Sequence, residues 1–198
     1  MKIRVGKPSM EEDVARVAAV REAIGPNIEL LADGNQAFAV HDAIRLGRLL
    51  EPYDLGWLEE PVASYDHQGH AAVAAALDVP IASGETEWTR HGMRAMIEAK
   101  AADILMPDLQ RIGGLTEFRR AASLAAAHNM PISTHIFTEQ SLSIAGSAPN
   151  CISVEHVSWF SPLYREKMEI VDGKIIIPQR PGLGFTLDAD AVDRFRVR

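Results

Sequence analysis

Three carboxylates recur at one spacing: 26 positions separate Asp33 from Glu59, and 26 separate Glu59 from Glu85. Each follows a short apolar run, Ile28 to Ala32 leading into Asp33, Leu55 to Leu58 into Glu59, and Ile81 to Gly84 into Glu85. Carboxylates delivered to one place repel, by roughly 4 kcal/mol for a pair about 4 Å apart at an effective dielectric of about 20, so the trio needs a counter-ion. Oxygen donors without a thiolate or paired imidazoles select a hard ion, Mg2+ first and Mn2+ second. The next two apolar runs lead into Asp108 and His135, a pairing in which the carboxylate can orient the imidazole and raise its basicity. At the start of the chain Lys2 and Arg4 alternate with Ile3 and Val5, which turns both basic side chains to one face of a strand, where they would meet an anionic substrate. Asn35 stands two positions after Asp33, and Glu155 ends the last apolar run.

The elements that must position these residues alternate. Apolar runs read as seven strands, roughly Lys2 to Val5, Ile28 to Ala32, Leu55 to Leu58, Pro80 to Ser83, Asp103 to Met106, Pro131 to Thr134 and Ile152 to Val154. Helical periodicity fills the gaps, over about Val40 to Leu50, Gly69 to Leu77, Thr89 to Ala99, Leu115 to His128 and Glu139 to Gly146, with a first helix opening at a Ser9/Glu12 capping box. Repeated βα units of this kind build a parallel (β/α) barrel, whose active site lies at the carboxyl ends of the strands. Closure takes eight strands and typically about 250 residues, so a chain that opens inside a strand is expected to lack the first. A hairpin around Asp172-Gly173, between Lys167 and Ile177, and a loop at Pro181 to Gly184 follow the last strand.

Composition narrows the classes. Of 198 residues, 47% are hydrophobic and 24% charged, which fits one globular domain with a substantial core. The formal charge of -7 argues against nucleic acid, which needs clustered Lys and Arg. One cysteine, Cys151, excludes an internal disulfide and reads as core packing in a cytoplasmic protein. No apolar run approaches a membrane span and no signal-peptide pattern is present. Gly113-Gly114 lacks the context of a phosphate loop and reads as a tight turn. Trp57 and Trp159 read as core and loop packing, and Glu60 as either a partner of the site or a charge facing the helices.

Taken in order, Lys2-Ile3-Arg4, Asp33-Gly34-Asn35, Glu59-Glu60-Pro61, Gly84-Glu85, Pro107-Asp108 with Gly113-Gly114, Ser133-Thr134-His135 and Glu155 resemble the motifs of the mandelate racemase subgroup of the enolase superfamily, along the whole chain. The resemblance implies a TIM-type (β/α)7β barrel incomplete at its N-terminus, without the first strand and the capping domain. Residues 1–160 are then the barrel domain from its second strand onward, and 161–198 a C-terminal hairpin and tail that pack on the capping domain. It makes Asp33, Glu59 and Glu85 the Mg2+ ligands and Asp108 with His135 the catalytic dyad. Glu155 becomes a donor to the developing enolate, and Lys2, Asn35 and Glu155 contact a small carboxylate substrate. Homo-oligomers are implied as well.

One position departs from the motif. The family's second lysine, a base on the opposite face of the substrate, is Arg4 here, and arginine stays protonated. Two-base racemisation therefore loses its partner for His135, and one-base chemistry is expected. The stretches Ser161-Pro162-Leu163 and Pro181 to Phe185 resemble those of acid-sugar dehydratases, so dehydration of an aldonate or aldarate to a 2-keto-3-deoxy acid is the leading expectation. Racemase, epimerase or cycloisomerase chemistry, or a barrel fragment of impaired activity, are the alternatives.

Overall fold

A computed structural model describes residues 1–197. Seven strands form one sheet in sequence order: β1 (Lys2–Arg4), β2 (Leu30–Asp33), β3 (Leu55–Glu59), β4 (Ile81–Ser83), β5 (Ile104–Leu105), β6 (Ile132–Thr134) and β7 (Cys151–Val154). Every neighbouring pair is parallel. Six helices alternate with them: α1 (Met10–Ile24), α2 (Val40–Leu50), α3 (His67–Ala76), α4 (Thr89–Ala99), α5 (Leu115–Ala127) and α6 (Thr138–Ser147). The α/β barrel architecture expected from the alternation is therefore present, as an open curl. Among the described residues β7 and β1 do not pair, which leaves a seam between the first and last strands.

The core divides along the sheet. Leu30, Leu46, Leu50, Leu58, Val73 and Ile81 pack α1, α2 and α3 onto the first half, and Met93, Met96, Ile112, Phe118 and Ile132 pack α4, α5 and α6 onto the second. A smaller cluster of Trp57, Ala82, Ile104 and Met106 fills a separate space. Cys151 packs against the second of these cores, as its composition suggested.

Local chemistry explains the boundaries. Ser9 caps α1 by accepting the Glu12 N–H at 3.3 Å, but the reciprocal half of the capping box is missing: Glu12 turns to Lys7, and the Ser9 hydroxyl donates to Glu11 at 2.8 Å. Helix α3 opens two residues before the expected Gly69, because Asp66 caps it by accepting the Gly69 N–H at 2.7 Å. Gly113 and Gly114 hold φ of 106° and 88°, the left-handed conformation that a tight turn into α5 requires and that side chains resist. Beyond β7 the chain forms the expected hairpin, β8 (Ile170–Val171) and β9 (Lys174–Ile175), turning through Asp172-Gly173. It lies against β7 and α6, around a cavity lined by Leu142, Cys151, Ile152, Ile175 and Ile177. A short helix not read from the sequence, α7 (Ala189–Phe195), follows, capped by Asp188. No helix among the described residues is long and apolar enough to cross a membrane.

Candidate active site at the strand ends

Parallel pairing sets the site. Arg4 is in register with Asp33, and Asp33 with Glu59, so a row of charges forms across three strands at their carboxyl ends. Lys2, Arg4, Asp33, Asn35, Glu59, Glu85, His135 and Glu155 all line one cavity of about 360 Å³, together with Arg111, Ile136, Val157 and Trp159. Every site residue expected from the sequence reaches it except Asp108, which stands behind His135.

The three carboxylates are almost fully buried, at 6% exposure for Asp33, 1% for Glu59 and 8% for Glu85. Each is held by a cation of the chain: Asp33 by Arg4 at 3.1 Å, Glu59 by Lys2 at 2.6 Å, and Glu85 by Arg111 at 3.3 Å. Glu59 also accepts the indole N–H of Trp57 at 3.0 Å, so this tryptophan both packs the interior and fixes a strand-end carboxylate. As the side chains stand, no three acids or histidines among the described residues converge on one point as a cation cage. The chemistry of the set nevertheless fits a hard divalent cation: every donor is a carboxylate oxygen, and burial leaves them poorly solvated. Burial pushes the Glu59 carboxyl up to about 7, against the pull of Lys2, with the Asp33 charge adding to the rise.

Asp108 and His135 form a close buried pair. Their strand ends bridge in parallel, and His135 Nδ1 lies 2.7 Å from Asp108 Oδ2. Asp108 is fully buried, and its other oxygen accepts the N–H groups of Gln110 and Arg111, both at 2.8 Å. Burial alone would raise the Asp108 carboxyl, but these bonds hold it below the usual range. A carboxylate so placed receives Nδ1–H and leaves Nε2 free as a base. Nε2 faces Glu85 at 3.3 Å. Burial would lower the imidazole pKa, yet the bond to Asp108 and the charges of Glu85 and Glu155 raise it.

Lys2 reaches across the seam, with its ammonium 2.6 Å from both Glu59 and Glu155. Burial opposes its charge, and the two carboxylates more than restore it, so its pKa lies above that of an ordinary lysine. Glu155 is fixed on its other side by the Ile136 N–H at 2.8 Å, and it stays ionised below the usual range despite burial. Ile136 and Phe137, at φ of 26° and 45°, carry the chain past His135 in a conformation costly for side chains, a strain of the kind found at functional sites.

Several participants were not read from the sequence. Arg111 lines the cavity, and the motif gave no sign of its pairing with Glu85. Trp159, expected to be packed in a loop, is 72% exposed at the cavity rim, while its neighbour Phe160 takes the packing role by stacking on Phe137. Behind the carboxylates Glu60 is buried, raised to about 7 by that burial and by Glu85, and held by Gln36 at 2.8 Å. Ser83 lies 3.4 Å from Glu60 and 3.2 Å from His70 Nε2, and His70 Nδ1 bonds the Asp66 carbonyl at 3.1 Å. Glu60 is thus buried behind the carboxylates and bonded to Gln36 and Ser83 on the side of α3, without lining the cavity.

Comparison with known proteins fits this geometry. The family model described as Enolase C-terminal domain-like matches residues 1–191. An L-talarate/galactarate dehydratase of Salmonella typhimurium is 41% identical over 191 residues, covering 96% of this chain and 48% of that protein. A D-galactarolactone cycloisomerase of Agrobacterium fabrum is 36% identical, covering 99% and 56%. The crystal structure of L-talarate dehydratase from Polaromonas sp. JS666, complexed with Mg and L-glucarate, superposes with a TM-score of 0.94 at 41% identity, covering 98% of this chain and 54% of that one. The chain spans about half the length of these relatives.

Proposed function

The chain belongs to the Enolase C-terminal domain-like family, and on that premise we propose that its strand-end cavity removes the proton α to the carboxylate of a sugar acid and eliminates water to give a 2-keto-3-deoxy acid. The observation that carries the reading is the Asp108–His135 pair at 2.7 Å, with its second imidazole nitrogen turned to Glu85 in the cavity that holds the three buried carboxylates. Asp33, Glu59 and Glu85 would hold Mg2+, or Mn2+ by the same oxygen chemistry. Such an ion supplies positive charge where the substrate carboxylate gains electrons.

The remaining steps belong to the chain's own residues. Lys2 donates to the substrate carboxylate and Asn35 lies beside it. His135 Nε2 accepts the α-proton while Asp108 holds the imidazolium that forms. The electron pair of the broken C–H bond becomes the enolate; Glu155, ionised and paired with Lys2 as it stands, donates to it only once it has taken up a proton. Collapse of the enolate breaks the bond to the β-hydroxyl, which takes the proton back from His135 and leaves as water. The resulting enol tautomerises to the keto acid. Arg4 cannot act as a second base, so it binds charge rather than moving protons, which favours elimination over racemisation.

Cycloisomerisation has specific support in the Agrobacterium relative. The two are separated by product mass: a screen of aldonic and aldaric acids and their lactones with Mg2+ gives 2-keto acid and loss of water from the acids on the dehydratase reading, and an isomer of unchanged mass from a lactone on the other. Absence of 2-keto acid, of isomer and of α-proton exchange with deuterated solvent for every acid would refute both. The setting we read for this activity is a cytoplasmic homo-oligomer, which sedimentation of the native protein checks.

A further inference from the structure

Both members of the dyad stand at the start of loops. Asp108 takes its orientation from the turn after β5, through the N–H groups of Gln110 and Arg111. His135 is followed by Ile136 and Phe137 in left-handed backbone, which persists only where the surroundings over-determine it. The segment after β7 holds both loops. Phe160 stacks on Phe137 with ring centroids 4.6 Å apart, and Ser161 Oγ donates to the buried Glu139 carboxylate at 2.6 Å. The hydroxyl of Tyr164, a buried residue packed edge-on against Phe185, accepts from Gln140 Nε2 at 3.2 Å. Gln140 Oε1 accepts in turn from Gln110 Nε2 at 3.0 Å. One amide therefore ties the first turn of α6, five residues past His135, to the turn that orients Asp108. Its far anchor is itself fixed: Tyr164 bridges Leu187, and the Asp188 N–H donates to the Leu163 carbonyl at 2.8 Å. Gln140, Gln110 and Tyr164 all lie outside the lining of the strand-end cavity.

We propose that Gln140 is a positioning residue for the Asp108–His135 dyad, the strut through which residues 160–164 keep the imidazole and its carboxylate in register. The inference rests on the function proposed above and deepens it. A misplacement of about 1 Å from a change far from the chemistry can cost about 10²-fold in rate. Gln140 gives its oxygen to one loop and its nitrogen to the segment that anchors the other, so an apolar side chain of similar length releases both at once.

The test follows the dyad and the reaction separately, in the full chain with Mg2+. The proton between His135 Nδ1 and Asp108 gives a low-field proton NMR resonance, and its exchange with water measures how firmly the pair is held. Gln140→Met should speed that exchange at least about tenfold, and slow removal of the α-proton from galactarate and galactonate roughly 10- to 100-fold in kcat with KM changed less than about twofold. Gln140→Glu keeps an oxygen for Gln110 and accepts from the Tyr164 hydroxyl, so it should return both readouts to within about threefold of the parent. Tyr164→Phe, which removes only the anchoring hydroxyl, should fall between. Arg90→Gln cuts the tie to Glu117 between α4 and α5, and serves as a control that lowers the melting temperature and leaves both readouts unchanged. No low-field resonance in the parent, exchange in Gln140→Met within about twofold of the parent, an unchanged kcat, an equal effect in Arg90→Gln, or no recovery in Gln140→Glu overturns the strut. A parent that removes the α-proton from neither acid sinks the dehydration instead, and the strut then stands or falls on the resonance alone.

Discussion

Asp108→Asn is the sharpest perturbation of the proposed chemistry, because the structure dictates how the new amide must sit. One oxygen of Asp108 accepts two N–H groups, from Gln110 and Arg111 at 2.8 Å, and only the amide oxygen can replace it there. The NH2 group is then turned to His135 Nδ1, which must accept instead of donate. The ring proton moves to Nε2, and the lone pair that faces the cavity disappears. Loss of the charge-assisted bond is worth about 1.5 to 3 kcal/mol, or roughly 10- to 150-fold. The wrong tautomer deepens the loss, as in a serine-protease triad, where the same exchange costs about 10⁴-fold. We expect exchange of the α-proton with deuterated solvent, followed by proton NMR, to slow about 10³- to 10⁴-fold in a variant that still unfolds cooperatively. Nitrogen-15 spectra should show His135 protonated at Nε2. Exchange within tenfold of the parent rate, or retention of the Nδ1–H tautomer, would refute the reasoning.

Stability of the metal-free chain should fall as the pH rises from about 5 to 8. Glu59 and Glu60 titrate near 7 in the folded chain against about 4.3 when unfolded, so the unfolded state loses its protons first, and ionisation costs the fold on the order of 3 kcal/mol for each. Mg2+ should restore the melting temperature at pH 8 and change it little at pH 5; a flat profile indifferent to Mg2+ would contradict the reading of Glu59 and Glu60 as buried, raised carboxyls. Gly34→Ala should cost about 1 to 3 kcal/mol in denaturant titrations and weaken Mg2+ binding, since its new Cβ would lie 3.1 Å from the backbone of both Glu60 and Pro61, between two strand ends that carry the site. Phe118→Ala, in the fully buried centre of the second core, should cost about 3 to 5 kcal/mol in the same assay and leave the site's geometry intact in crystals.

The strand-end acids could be read directly because each is a polar residue closing an apolar run, and period-two alternation carried Lys2 and Arg4 to the same face. The dyad could be read for the same reason, since adjacent parallel strands bring Asp108 and His135 together without any contact from elsewhere. What the sequence hid depends on side chains meeting across long separations. Arg111 is a loop residue until β4 puts Glu85 beneath it, and His70 is one of several histidines until α3 packs it onto Ser83. Helix α3 begins at His67 because Asp66 supplies its cap, a substitution for the glycine signal that periodicity alone cannot distinguish. In α7 a single Asp188 cap and a seven-residue span gave too little pattern to separate it from coil.

The Lys2 ammonium joins Glu59 on one side of the seam to Glu155 on the other, and in the function proposed above the same group receives the substrate's carboxylate. Mechanical closure and ligand recognition therefore draw on one nitrogen. A substrate that recruits Lys2 loosens the clasp between β1 and the end of β7, and any breathing of that seam dismantles the anion site in the same motion. Amide hydrogen exchange in β1 and β7 thus becomes a gauge of how well the catalytic cavity is assembled.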